Sequence, residues 1–232
     1  MKVILLQHTQ DPERVVAQAA KLCYSAAGVE AIAEKLTPEK TASFIKMLAE
    51  AGHLSAFEHA SFTFGIEDVS RSLTHQLVRH RLASYSQQSQ RYVVADSLYI
   101  EPIVPKKIEE SENLRNRYQE LLKFIGDFYQ EMIIGGIPPE DARYILPNAT
   151  KTKIVVTMNA RELLHFFELR CCNRAQWEIH GMADEMLRLA KQKAPHLFAS
   201  AGPGCVHGEC REGKFSCGKI AEVREKYGRE QA

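Results

Sequence analysis

Apolar positions along the chain fall into short blocks of changing period. Val3 to Leu6 is a continuous apolar run, long enough for one buried strand. Asp11-Pro12 then supplies a cap and a first-turn proline for a helix whose apolar face is Val15, Val16, Ala19, Ala20, Leu22 and Cys23, with Gly28 as its stop. Thr37-Pro38 opens a second helix that turns Ile45, Leu48 and Ala49 inward and ends at Gly52. Phe62, Phe64 and Ile66 alternate with smaller or polar residues and predict a half-buried strand. Val69, Leu73 and Leu77 repeat every four residues and predict a helix from about Asp68 to His80. Ser84 to Arg91 has no apolar period and reads as a loop.

A long amphipathic helix is expected from Glu109 to Ile134, carrying Leu114, Tyr118, Leu121, Leu122, Ile125, Phe128, Tyr129 and Met132. Gly135-Gly136 and Pro138-Pro139 end it and start a short helical turn. Lys153 to Met158 is β-branched and strand-like. Asn159 and Glu162 make a capping-box start for a helix that buries Leu163, Leu164, Phe166, Phe167 and Leu169. A last helix runs from about Ala175 to Lys193 and stops at Pro195. Strands are few and do not alternate regularly with helices, so the fold class is α+β rather than doubly wound α/β. After Ser200 the composition shifts to Gly, Cys and charged residues. The expected organisation is therefore one domain over 1–200 with an appended tail over 201–232.

Composition narrows the function classes. Lys plus Arg number 30 against 29 for Asp plus Glu, and this balance argues against coating nucleic acid or a membrane surface. Any positive site must be local. The apolar stretch after Met1 is too short for a signal peptide, and no stretch approaches the ~18 apolar residues of a membrane span. The expected compartment is the cytoplasm, with the six Cys as reduced thiols.

The densest chemistry lies in RHRLASYSQQSQRY, Arg79 to Tyr92. Gln76, Arg79 and His80 are spaced to share one face of the expected helix, and Arg81 follows at once. Ser84, Ser86, Gln87, Gln88, Ser89 and Gln90 then precede Arg91. Guanidinium forks for phosphate are thereby joined to hydroxyls and amides that can read a base or sugar edge, and a nucleotide needs both. The plainer reading is a solvated basic helix end favoured by the helix dipole.

Arg-His-Arg, seven residues, Ser and a further Arg two positions on resembles the signature of flavin-dependent thymidylate synthases. GHLSAFEHASFTF (52–64), DARYILP (141–147), MNARELLHFFELR (158–170) and AQWEI (175–179) resemble other segments of that family in the same order. The resemblance implies a single domain with a small, mainly antiparallel sheet flanked by helices, and a homotetramer whose sites are shared between subunits. It implies methylation of dUMP to dTMP, with FAD as cofactor and NADPH and methylenetetrahydrofolate as co-substrates. By that similarity Ser55, Arg79, His80, Arg81, Gln87, Asn159, Ala160, Arg161 and His165 hold FAD. Gln76, Leu77, Val78, Arg79, Gln87, Gln88, Ser89, Gln90, Arg91, Arg143 and Arg170 meet dUMP, and Arg170 is the catalytic residue that polarises the uracil. Gln87 stands where some members carry Glu, and His165 where some carry Asn.

The residues themselves agree on several points. No strand–GxGxxG–helix unit is present, so a dinucleotide is not held in a Rossmann manner. No Cys lies near the signature, and Cys23, Cys171 and Cys172 read as structural. Ser89 has no activating base in sequence and reads as a nucleotide-contacting hydroxyl. His53, Glu58 and His59 match no metal-ligand spacing, and Tyr85, Tyr92 and Tyr99 read as packing residues. In the tail, Cys205, His207, Cys210 and Cys217 lack the paired CxxC spacing of a strong zinc site, so no metal is expected. A nucleic-acid-binding module and a flavin-free enzyme acting on a nucleotide phosphate are the competing readings.

Overall fold

The structure, a computed structural model, describes residues 1–93 and 102–228. Tyr99 and the last four residues of the tail lie outside the described residues. Four strands, β1 (Lys2–His8), β2 (Ser61–Ser70), β3 (Ala83–Gln87) and β4 (Lys151–Asn159), form one antiparallel sheet in the order β1-β2-β4-β3. The helices are α1 (Pro12–Leu22), α2 (Val29–Glu34), α3 (Pro38–Glu50), α4 (Arg71–Leu77), α5 (Lys106–Glu109), α6 (Glu112–Ile134), α7 (Pro139–Ala142), α8 (Ala160–Arg170), α9 (Trp177–Lys193) and α10 (Ile220–Gly228). The class is α+β, as the irregular succession of helices and strands predicts.

Backbone contacts divide the chain into two compact units. The first comprises residues 1–2, 66–79 and 85–155, and the second residues 3–65, 80–84 and 156–232. In the second, Phe57, Phe62, Phe64, Phe166, Phe167 and Phe198 are fully buried. Phe62 and Phe167 meet Phe198 edge-on at 5.3 and 5.9 Å. This aromatic core anchors α8, since Phe166 and Phe167 are its central turn. In the first unit Ile66, Val69, Leu73, Leu77, Leu122 and Tyr129 are buried.

Several local expectations are corrected. Asp11 adopts a left-handed conformation (φ 50°), and its side chain makes no cap bond. Gly28 does not stop α1, which ends at Leu22; it precedes α2, a helix too short to show a period. Asp68 and Val69 belong to β2, and the helix begins only at Arg71. Asp68 takes a positive φ of 57° where the strand's alternating burial breaks, and Ser70 then caps α4 by accepting from the Leu73 N–H at 3.0 Å. Ala83 to Gln87 is a strand rather than a loop. An edge strand of polar residues needs no apolar face, which is why the periodicity missed it. The long helix starts at Glu112 after a separate turn, α5, and Leu164 and Leu169 are not in the core.

Candidate functional site

The first unit carries most of the residues assigned to the nucleotide. Helix α4 ends at Leu77, so Arg79 and His80 lie beyond it and do not share a helical face with Gln76. Leu77 is fully buried, and its carbonyl accepts from the Tyr85 hydroxyl at 2.8 Å. Val78 and Arg79 are exposed. Gln87, at the end of β3, donates through Nε2 to Thr74 Oγ1 at 3.0 Å and Thr152 Oγ1 at 3.3 Å. The Gln88 N–H donates to the Lys153 carbonyl at 3.0 Å, while Gln90 is half-buried just beyond. Ser89 Oγ accepts from the Arg91 N–H at 3.1 Å.

Three guanidinium groups gather there. Arg91 Nε reaches Glu140 Oε2 at 2.9 Å, and Arg143 Nε donates to the Glu140 carbonyl at 3.1 Å. Arg71 donates to the Gln88 carbonyl at 3.5 Å, and its pKa is lowered by burial and then by the neighbouring Arg143 charge. A cation held against another cation is poised for an anion. The sequence reading missed Arg71 and Glu140. Arg71 sits in the first helical turn, where a basic residue opposes the helix dipole, and that anomaly was the available signal.

In the second unit, the flavin-assigned residues stand on two supports. Ser55 lies on a 3-10 turn (Leu54–His59) and lines a recess of about 130 Å³ with Tyr24, His53 and His59. A larger groove of about 610 Å³ shares Tyr24, Leu48 and His53 with it. Helix α8 carries the rest. Asn159 Oδ1 caps it by accepting from the Glu162 N–H at 2.8 Å, and the buried Ala160 donates its N–H to the Ala60 carbonyl at 2.7 Å. Arg161 and His165 are exposed one turn apart, and Arg161 pairs with Glu58 at 2.6 Å.

Glu162 does not complete a reciprocal capping box; its carboxylate is committed to His80. His80 Nδ1 lies 3.2 Å from Glu162 Oε1, and Arg170 Nε donates to His80 Nε2 at 3.1 Å. Because Arg Nε can only donate, Nε2 must accept, so the proton sits on Nδ1 and points at Glu162. Both His80 and Glu162 are buried, and the His80 ring packs edge-on to Phe166 at 4.9 Å. Burial, with Arg170 and His165 nearby, holds the His80 pKa down at about 4, so the ring is neutral at pH 7. Burial also raises the Glu162 carboxyl and lowers the Arg170 guanidinium. The three residues of the Arg-His-Arg run thus part ways: His80 turns into the core, while Arg79 and Arg81 are exposed. Cys171, the thiol beside Arg170, is buried and held well above its ordinary pKa by that burial and by Asp184, which makes it a poor nucleophile.

Residues 4–196 match the family model described as thymidylate synthase complementing protein. The chain is 54% identical to a flavin-dependent thymidylate synthase of Geobacter sulfurreducens, over 97% of each chain. It is 51% identical to one from Clostridium tetani, covering 98% of this chain and 97% of the relative. It is 42% identical to one from Pyrococcus furiosus, covering 91% and 90%.

Proposed function

The chain belongs to the thymidylate synthase complementing protein family, and from that premise we propose that it converts dUMP to dTMP without a protein nucleophile. The observation that carries this reading is the family match, which spans both units and every motif of the signature. Bound FAD would supply the hydride, with NADPH as its reductant and methylenetetrahydrofolate as one-carbon donor.

The residues present fit a flavin dinucleotide. Arg79 and Arg81 are exposed, and their guanidinium groups form no ion pair among the described residues, so they can take a pyrophosphate. The Arg161–Glu58 pair is about half exposed, hence worth only ~0–1 kcal/mol and readily exchanged for a phosphate. Ser55, His80, Gln87, Asn159, Ala160 and His165 would complete the flavin contacts. For dUMP, the cluster of Arg71, Arg91 and Arg143 offers the phosphate contacts. Gln76, Leu77, Val78, Gln88, Ser89 and Gln90 add backbone and side-chain donors.

Arg170 has the activating role. Methylation requires the uracil C5 to act as a nucleophile, and with no Cys adding to C6 the remaining lever is to stabilise negative charge on the ring's oxygen and nitrogen. A guanidinium does this without losing its own charge, and the His80 bond fixes its plane.

Large apolar side chains on the first unit remain uncovered in the single chain: Phe124 is 68% exposed, and Ile134 and Tyr144 are each 84% exposed. They support a homotetramer whose subunits share sites. No helix among the described residues is long and apolar enough to cross a membrane. Residues 1–200 would form the enzyme and 201–232 an addition to it. Visible absorption of the purified protein, with tritium release from 5-tritiated dUMP, tests the function. A colourless protein that takes up no added FAD would overturn it.

A further inference from the structure

The addition beyond residue 200 reaches back into the second unit. Ala201, Cys205, Val206, Val223 and Tyr227 are all buried. Helix α10 is fastened through Arg224, which donates from Nε to the Cys205 carbonyl at 3.0 Å and from Nη2 to the Gly208 carbonyl at 2.9 Å. Gly202 admits the Tyr227 side chain, since a Cβ at position 202 would stand 3.1 Å from Tyr227 Cβ and 3.2 Å from its Cγ. The matched family span ends at residue 196, before any of these residues.

Tyr227 lands where α8 ends. A helix leaves its last carbonyls without partners of its own, and α8 ends at Arg170. The Cys171 N–H still donates to the Phe167 carbonyl at 3.0 Å. The next two carbonyls are met by side chains: the Tyr227 hydroxyl donates to the Cys171 oxygen at 3.1 Å, and His180 Nδ1 to the Cys172 oxygen at 3.0 Å. Both donors are tied to one carboxylate on α9. The Tyr227 hydroxyl lies 2.6 Å from Asp184 Oδ1, so its proton is shared between two acceptors, and His180 Nε2 lies 3.3 Å from Asp184 Oδ2. Lys226 donates to Asp184 Oδ2 as well, at 2.5 Å. Burial works against the Asp184 charge, but hydrogen bonds from His180, Lys226 and Tyr227 hold its pKa down at about 2, so at neutral pH it only accepts.

We propose that Tyr227 is a positioning residue for the methylation step: by holding the Cys171 carbonyl it fixes the root of Arg170, as His80 fixes its head. The inference rests on the activating role proposed for Arg170. Helix ends fray, and a long side chain magnifies any rotation at its root. A misplacement of about 1 Å at a reacting group can cost roughly 10²-fold in rate. Capping the two carbonyls that follow Arg170 removes that freedom from one side, and the bond to His80 Nε2 removes it from the other.

The test is a double-mutant cycle in the full chain. Tyr227→Phe keeps the ring that packs on Gly202 and removes only the hydroxyl. It should lower kcat for dTMP formation roughly 2- to 13-fold, the span for one neutral hydrogen bond. Flavin content, flavin reduction by NADPH and KM for dUMP should not change. In the Arg170→Ala background the same substitution should alter kcat by less than about twofold, because its effect runs through Arg170. Val223→Ala, which trims a buried apolar side chain of the same helix, should lower the melting temperature and leave kcat near wild type. Gly202→Ala, which displaces the ring with its hydroxyl retained, carries the test should Tyr227→Phe not fold, and should show the same kcat loss. Unchanged kcat in Tyr227→Phe, an equal loss in both backgrounds, or an equal loss in Val223→Ala would each overturn the role of Tyr227 and leave that of Arg170 standing. Wild-type turnover in Arg170→Ala would instead sink the activating role itself, and this inference with it.

Discussion

The arginine cluster of the first unit and Arg170 of the second stand in opposite settings. In the first, Arg91 and Arg143 meet Glu140 at the surface, with the Arg91 and Glu140 side chains each about half exposed. Such pairs are worth ~0–1 kcal/mol and can be exchanged for an incoming phosphate at small cost. In the second, Arg170 is part of a line, Glu162–His80–Arg170, whose middle member is 5% exposed and bonded on both ring nitrogens. Breaking that line would leave polar groups unsatisfied in a dry site, which costs far more than any surface pair. On the proposed reading the exposed arginines bind and release, and the anchored one holds a fixed orientation. Binding energy and rate should therefore separate between the units under mutation.

The largest effect should come from Arg170. Removing a donor aimed at developing charge typically costs about 2.7–4 kcal/mol, or 10²–10³ in rate. Arg170→Ala should keep its flavin colour and its reduction by NADPH yet lose dTMP formation by that order. Near wild-type turnover at saturating dUMP would remove the distinction between the two units.

A second prediction concerns acid. The His80 pKa is about 4 when folded, below its ordinary 6.5, so the unfolded chain binds the extra proton first as the pH falls. Stability is then full above pH 6.5 and declines towards pH 4, by at most about 3 kcal/mol for a shift of this size. Glu162, raised by burial, opposes this, because its penalty is relieved on protonation; Arg170 and His165 are the other charged or titratable groups facing the ring. Urea unfolding between pH 7.5 and 4.5 should show a steeper loss in the wild type than in His80→Gln. Equal slopes would mean that another group carries the acid sensitivity.

The α8 helix shows what was legible in the sequence. Asn159 at its cap, Phe166 and Phe167 in its core stripe and Arg161 with His165 on its outer face all follow from residue type and a period of 3.6. The direction of Glu162 does not. A glutamate at N3 has a local partner within reach, and only the packing of α8 in the aromatic core decides that it meets His80, 82 positions away, instead. The strand at Ala83–Gln87 was illegible for a related reason, since its pairing comes from a neighbouring strand and not from its own apolar content. The sequence reading took Arg79 to Tyr92 as a dense set of donors and passed over Arg71, although it stands shortly before them in the chain; Glu140, 49 positions from Arg91, joins them only through the fold.

A smaller effect is expected in the first unit. Arg143→Ala should weaken dUMP binding by ~1.5–3 kcal/mol, the range for a hydrogen bond to a charged group, which is roughly a 10- to 150-fold rise in KM. The turnover number at saturating dUMP should change little, because the contact is made before and during the reaction alike. A fall in kcat with KM unchanged would place Arg143 with Arg170 and erase the separation.

The smallest effect belongs to Ser89, and it decides whether the first unit only binds. Its hydroxyl accepts the Arg91 N–H at 3.1 Å, a turn bond that sets where the Arg91 side chain leaves the backbone. Arg91 in turn reaches Glu140 and lies 5.5 Å over the Tyr92 ring, so its position depends on that turn. No histidine or carboxylate is hydrogen-bonded to Ser89 among the described residues, and a serine without an adjacent base is a weak nucleophile. Loss of one neutral hydrogen bond costs ~0.5–1.5 kcal/mol, so Ser89→Ala should raise KM for dUMP roughly 2- to 13-fold and leave measurable turnover. Ser89→Thr, which retains the hydroxyl, should recover most of the affinity. If the alanine variant instead lost all turnover at saturating dUMP, or mass spectrometry of the quenched wild-type reaction found a nucleotide bonded to Ser89, the first unit would carry chemistry as well as binding.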